Sequence, residues 1–532
     1  MRDLHLPGRS PAYAANGMAA TSMPAATLAA LDVLRAGGNA MDAAVAAVAV
    51  QCVIEPHSTG IGGDCFCLYA PAGTGRVVAL NGSGRAPAAA TLDWYEAQGI
   101  TAIENTSPHA VTVPGAVGAW ERLLAAHGTK GLEELLQPAI RYAEDGFIVH
   151  SRVASDWAEH APKLRATGAT SFLPGGDAPA EGDRFVPPNL AKTLRAIAAR
   201  GAKAFYEGPI AADMVAALRA RGGLHTEEDF AAGLDAAHFV EPIRTGFRGY
   251  EVWQCPPNGS GLLVLMLLGI LRGWDTPPHG PMSTLRLHRH LEAARLVYRD
   301  RDTFLGDPDQ VEVPVARLTD PAYLDALRGL VRDDAALRDL PRAGEAALPA
   351  HRDTVYLCVV DRDGNACSFI NSLFQSFGSA ILAEQSGVML QNRGFSFRLE
   401  RGHPNTIAPF KRPMHTIIPG MLTENGQAVM PFGVMGGHFQ PMGQTLFLTN
   451  HLDYGLDIQE ALDAPRLMAL GGKVQAERGV PLPVLDHLAR LGHTIERVAK
   501  PHGGGQAIRI DRARGCLIGG SDPRKDGMAL GY

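Results

Sequence analysis

The sequence predicts a mixed α/β protein with a deeply buried sheet, and three stretches carry that expectation. Val355 Tyr356 Leu357 Cys358 Val359 Val360 is apolar, aromatic or β-branched at every position, as a strand covered on both faces would be. Asp361 to Asn365 then supplies the Asp-Gly chemistry of a tight reversal, and Ala366 to Ser372 runs back as a second strand, giving a hairpin. Ala40 to Cys52 is almost entirely alanine and valine, which reads as a buried helix, and helical patterns dominate from about Val113 to Gly222.

The remaining elements follow in order. Residues 24 to 36 carry leucine and alanine at helical spacing and stop at Gly37 Gly38. The loop His57 to Asp64 is glycine-rich, but it follows a helix and leads into the strand-like Cys65 to Tyr69, the reverse of a dinucleotide fingerprint. It reads instead as a turn packed close to the hairpin. Val77 to Leu80 and Tyr250 to Gln254 are predicted strands, and Leu262 to Arg272 and Leu285 to Arg301 predicted helices. His288 and His290 are two apart, diverge on a helix and read as surface residues. Residues 324 to 353 suit a surface helix and a connector. Strands are expected near Thr416 to Leu422 and Ala428 to Phe432, then a Gly433 to Gly437 turn, a helix at Gln444 to Asp453 and a small αβ tail.

Composition narrows the class. With 46% hydrophobic and 20% charged residues the chain has the balance of a globular enzyme, and a formal charge of −6 argues against nucleic acid. No stretch approaches the roughly 18 apolar residues of a membrane span. The segment Met1 to Ser10 has no uninterrupted apolar run, so no secretion signal is read and a cytoplasmic location is expected. Seven cysteines, an odd number spread over the chain, fit reduced thiols, and Cys65 with Cys67 lack the further ligands of a metal site. At 532 residues there is room for several domains, although α/β chains often use one large core.

Thr354 stands at the head of the hairpin, after the charged, proline-bearing Pro349 to Asp353. Were the Asp353–Thr354 bond cut, Thr354 would gain an α-amine with a pKa of about 7.7 to 8.0, able to accept its own hydroxyl proton near neutral pH. One residue would then supply nucleophile and base. Threonine opens many strands, so this pattern alone is commonplace.

A set of short motifs gives it weight. In order they are Leu34 to Val45, Glu55 Pro56 with Gly60 to Gly63, Arg85 to Pro87, Val113 to Gly115, Glu144 to Phe147, Pro256 to Gly261, Leu305 to Pro308, the Thr354 stretch, Lys411 to Pro413, Gly436 Gly437 and Ser521 to Arg524. Together they resemble the gamma-glutamyltransferase family of N-terminal nucleophile hydrolases. The resemblance implies an α+β fold, a four-layer αββα sandwich, and self-cleavage between Asp353 and Thr354 into a heavy chain 1–353 and a light chain 354–532. It implies Thr354 as nucleophile, Ser372 as the hydroxyl that orients it, and the backbone N–H groups of Gly436 and Gly437 as oxyanion donors. No cofactor and no metal are implied. The partners expected are a small amide substrate and the second fragment of the same precursor, with pairing into a dimer of heterodimers left open; neither nucleic acid nor membrane is expected.

Substrate recognition departs from the true transferases. The position of the family's carboxylate-binding arginine falls on Ser83, with Arg85 two residues on, and its ammonium-binding positions fall on Phe374, Arg393 and Ser396. The family's serine pair falls on His415 Thr416. An ammonium beside Arg393 would be repelled, so a substrate with a carboxylate and no adjacent amine fits better. This pattern is similar to the amidohydrolase branch that includes oxamate amidohydrolase and cephalosporin or glutaryl acylases. Arg393 is the first choice for carboxylate recognition and Arg85 the second, while Phe374 narrows the pocket. Beside the Tyr-bearing lid loop of some family members, the span between Arg393 and Ile407 is short, and the resemblance then implies a reduced lid and a site more open to water. Two other readings are a genuine γ-glutamyl hydrolase and an unprocessed, non-enzymatic binding protein.

Overall fold

The computed structural model describes residues 8–338 and 354–532. Two seven-stranded antiparallel sheets lie face to face. The first runs Met528–Gly531, Met18–Thr21, Val355–Val360, Ala366–Ser372, Asp64–Ala70, Val78–Gly82, His238–Val240. The second runs Ala12–Ala14, Cys516–Ser521, Gly504–Asp511, Gln427–Met435, Gly420–Glu424, Tyr250–Gln254, Ile243–Phe247. The expected hairpin is present: Val355 faces Asn371 and Val360 faces Ala366, and the pair occupies the middle of the first sheet.

Alternation along the first hairpin strand distributes its side chains between two cores. Tyr356, Cys358 and Val360 point between the sheets with Met18, Phe66, Ile370, Met421 and Met435. Val355, Leu357 and Val359 point outward, against the helices Pro24–Arg35 and Ala40–Ile54. The second helix is buried along its whole length, and a capping box of Asn39 and Asp42 starts it. On the far side, helices Gly261–Leu271 and Gln440–Leu452 cover Val252, Leu422, Met430 and Phe432. Helices, sheet, sheet and helices make the four-layer αββα sandwich.

Several expectations are corrected. His288 and His290 are buried: His288 Nδ1 lies 2.8 Å from His493 Nε2, and His290 Nδ1 lies 2.9 Å from the Arg286 carbonyl. The helix that bears them, Thr284–Phe304, is covered on more than one side, so divergent side chains both find an interior. The predicted strand at Thr416 to Leu422 begins only at Gly420, because the chain before it is spent on side-chain contacts in the site. The next strand continues to Met435, and Gly433 belongs to it rather than to a turn. Glycine is required there, since a Cβ at Gly433 would come 2.4 Å from the ring of Tyr356. All seven cysteines are free thiols, and no described helix is long and apolar enough to cross a membrane.

Candidate active site

Thr354 directly precedes the first hairpin strand, and Ser372 closes the second, so the antiparallel register sets them opposite one another. Their hydroxyl oxygens are 3.2 Å apart and both residues are fully buried. Phe374 donates its N–H to Ser372 Oγ at 2.9 Å. That bond occupies a lone pair of the serine and leaves its own proton free to turn toward Thr354. Phe374 makes it from φ 82°, a left-handed conformation that a bulky side chain adopts only when its surroundings impose it. Asp353, the Asp353–Thr354 bond and the connector from residue 339 lie outside the described residues.

The glycine-rich loop packs against this end of the hairpin, as its sequence predicted. A Cβ at Gly63 would sit 2.3 Å from the Ser372 carbonyl oxygen, and one at Gly62 would sit 2.2 Å from that of Met389. Asn371 donates its side-chain N–H to Thr59 Oγ1 at 2.9 Å and to the Gly60 carbonyl at 3.2 Å. Backbone from the two halves of the chain thus meets without intervening side chains.

Linked to the Thr354 and Ser372 pair through Phe374, Arg393 lies in the 3₁₀ turn Arg393–Ser396 with no exposed surface. Its guanidinium carbon stands 4.0 Å over the Phe374 ring, and Nη1 donates to Thr416 Oγ1 at 2.8 Å. Its Nε and Nη2 have no hydrogen-bond partner among the described residues. Burial pushes its pKa down to about 9, opposed by the Asp64 carboxylate, so the guanidinium remains protonated at neutral pH.

Asp64 is the nearby acid that sequence reasoning passed over. Its Oδ1 accepts the N–H groups of Gly84 and Gly115 and the side chain of Gln391, and its Oδ2 lies 2.9 Å from His415 Nε2. With its oxygens committed to these donors, it is already satisfied by the protein and is poorly placed to receive a ligand ammonium. Burial and then the Arg393 charge hold His415 down at about 4 against the pull of Asp64, so its imidazole is neutral. Only the solitary acid at the head of a wholly apolar strand could have signalled Asp64 in advance.

Arg85 stands apart from this cluster in its commitments. Its guanidinium donates to Asp309 at 2.7 Å and to the Phe410 carbonyl at 2.8 Å, and Asp309 is shared with Arg412. Ser396 is likewise occupied, its hydroxyl donating to the Arg393 and Met414 carbonyls. The expectation of a site more open to water is not met, since Thr354, Ser372, Phe374 and Arg393 have no exposed surface. The segment after Arg393 folds down instead: Asn405 donates to the Ser396 carbonyl and accepts the Met414 N–H.

The strand Gln427–Met435 passes over the hairpin in the facing sheet. Contacts step from Ser368 on the Phe432 carbonyl to Tyr356 against Gly433, advancing toward the Thr354 end. Gly436 and Gly437 follow at φ 118° and 56°, a backbone that favours glycine. The structure therefore brings Thr354, Ser372, Phe374, Arg393, Thr416 and His415 into one connected set, with the glycine pair at the end of the overlying strand. Two facing hydroxyls beside a buried cation whose Nε and Nη2 lack partners among the described residues are groups that acyl-transfer chemistry could use.

Known proteins resemble the chain over nearly its whole length. A family model described as gamma-glutamyltranspeptidase matches residues 26–532. A glutathione hydrolase-like proenzyme of Bacillus subtilis is 37% identical over 512 residues, covering 94% of this chain and 95% of that protein. The oxamate amidohydrolase proenzyme of Klebsiella pneumoniae is 34% identical, covering 97% of this chain and 98% of its own. The crystal structure of a cephalosporin acylase from Bacillus halodurans superposes with a TM-score of 0.92 at 38% identity, covering 100% of this chain and 98% of the other.

Proposed function

The chain belongs to the gamma-glutamyltranspeptidase family, and from that premise we propose that it is a self-processing amidohydrolase for a small substrate that carries a carboxylate and no neighbouring ammonium. The precursor is cut ahead of Thr354, which gives that residue a free α-amine. The amine takes the hydroxyl proton as Thr354 Oγ1 attacks the amide carbonyl carbon, and the Ser372 hydroxyl holds the oxygen in line. Negative charge collects on the carbonyl oxygen against the N–H groups of Gly436 and Gly437. As the C–N bond breaks, the proton passes from the α-amine to the departing nitrogen, which leaves as ammonia or an amine. Water then gives a proton to the same amine while its oxygen attacks the ester carbon; the bond from that carbon to Thr354 Oγ1 breaks and the amine returns the proton to Oγ1, releasing the acid and restoring Thr354.

The observation that carries the substrate reading is the buried Arg393 fork, whose Nε and Nη2 lack partners among the described residues. A carboxylate placed there would take two parallel N–H bonds, whereas Asp64 is already bonded to its own donors. A competing reading, favoured by the glutathione hydrolase-like relative, is hydrolysis of γ-glutamyl amides. The test compares ammonia released from oxamate with the leaving group released from a γ-glutamyl anilide. Turnover of oxamate in preference to the anilide is expected; preference for the anilide would refute the substrate reading. N-terminal sequencing of the smaller fragment should begin at Thr354, and an intact chain that still hydrolyses amides would refute the mechanism.

A further inference from the structure

The turn bearing Gly436 and Gly437 leans on a cluster of buried charge. A Cβ at Gly436 would come 2.9 Å from the Gly503 Cα, and one at Gly503 would come 2.1 Å from the Met435 carbonyl oxygen. Phe439, which ends the 3₁₀ turn Gly437–Phe439, stacks on the His502 ring with centroids 5.1 Å apart and planes 20° apart. The Arg466 guanidinium lies 5.7 Å from the centre of the same Phe439 ring. The glycine turn is thus backed by Gly503, His502 and Arg466.

Two of these, His502 and Arg466, are in turn fixed by one carboxylate. Glu477 accepts the backbone N–H of His502 at 2.8 Å and that of Arg466 at 3.0 Å, and both of its oxygens take the Arg524 guanidinium, at 2.9 and 2.6 Å. Arg466 closes the loop by donating to the His502 carbonyl at 2.7 Å and to Asp522, which also accepts the Arg524 N–H at 2.9 Å. Glu477, Asp522, Arg466 and Arg524 are two acids against two bases, and the first three are buried. Oxyanion donors work only when aimed within a fraction of an ångström, and glycine backbone is the least able to hold an aim by itself.

We propose that Glu477 is a positioning residue for the reaction: by fixing the backbone of His502 and Arg466 it holds Phe439 and Gly503, and so the Gly436 and Gly437 N–H groups, where the oxyanion forms. This rests on the reading of that glycine pair as oxyanion donors. The test uses Glu477→Gln, which keeps the shape but removes the charge, and Phe439→Leu, which keeps apolar bulk but removes the stacked ring. Each is compared with wild type per processed light chain, for kcat and KM on the preferred amide. Inhibition is measured with 3-boronopropanoic acid, whose boron forms a tetrahedral anion on Thr354, and with succinate, which does not.

Both variants are expected to lose kcat and boronate affinity by about 10- to 100-fold while KM and succinate inhibition stay within about twofold. A variant that melts earlier yet keeps wild-type kcat and boronate affinity per processed chain overturns the proposal, as does equal loss of succinate and boronate. Should Glu477→Gln yield no processed protein, Phe439→Leu decides alone. A wild-type protein that is neither cut nor active instead refutes the reading on which the proposal rests.

Discussion

The Phe374 ring lies 4.0 Å beneath the guanidinium carbon of Arg393, while the N–H of the same phenylalanine holds Ser372 at 2.9 Å. One residue in a left-handed conformation therefore ties Arg393 to the facing hydroxyls of Ser372 and Thr354. On the proposed reading that link would set the distance between carboxylate and scissile amide, and a short acyl group would suit it.

Arg393→Lys is expected to lower kcat/KM by about 10-fold and Arg393→Met by about 100-fold, mostly through KM, because lysine keeps the charge but not the fork. Steady-state kinetics on oxamate and on a longer monoamide check this. Equal activity of Arg393→Met and wild type would refute carboxylate capture by this residue.

Ser372→Ala should be cut slowly and turn over about 10- to 100-fold more slowly, since only one of the two hydroxyls remains. Thr354→Ala should be neither cut nor active, and Thr354→Ser should be both in part. Denaturing electrophoresis followed by single-turnover assay separates cutting from turnover.

Close backbone approach gives a prediction for stability. Gly63→Ala drives a methyl to within 2.3 Å of the Ser372 carbonyl, a backbone atom that cannot rotate away. A loss of about 1–3 kcal/mol is expected in urea unfolding, with slower cutting because Ser372 must shift. Gly433→Ala meets the buried Tyr356 ring and should cost a similar amount. Unchanged unfolding midpoints would show that the hairpin end yields more readily than its packing suggests.

Glu55 gives a pH dependence. Buried beside Ser22 and Gln51, its carboxyl is raised by burial from 4.5 to about 7, against the pull of Ser22, Lys525 and Gln51. The folded protein keeps this proton up to about pH 7, whereas the unfolded chain gives it up above about 4.5. Its contribution is complete below the lower value and is lost as pH rises through the upper one, amounting to about 3 kcal/mol. Relative to wild type, Glu55→Gln should therefore gain stability between about pH 5 and 8. Thermal melts of both proteins across that range check it, and parallel curves would exclude Glu55 as the source.

Elements defined by unbroken apolar runs were legible in the sequence. The hairpin Val355–Val360 with Ala366–Ser372 and the helices Ala40–Ile54 and Gly261–Leu271 are filled with side chains that have only one favourable place to go. Ile243–Phe247 was not, because Arg244, Thr245 and Gly246 hide a strand on the edge of its sheet. The buried histidines escape a reading from local spacing, which says nothing about how many sides of a helix are covered.

Within the site, the resemblance put Ser372 beside Thr354 in advance, and the hairpin register accounts for their facing one another. The Asp64–His415 contact joins residues 351 positions apart, and no periodicity carries that information. Charge compensation around Arg393 likewise arises only when three distant segments converge.

The hairpin that opens immediately after Thr354 is bordered by Met18–Thr21 on one side and Asp64–Ala70 on the other. A cut ahead of Thr354 consequently leaves two polypeptides laced through a single sheet, and neither can be withdrawn without tearing rows of main-chain hydrogen bonds on both flanks. The pieces would stay together after cutting with no covalent tie, and supplying them as separately made halves would ask each to present unpaired sheet margins to water.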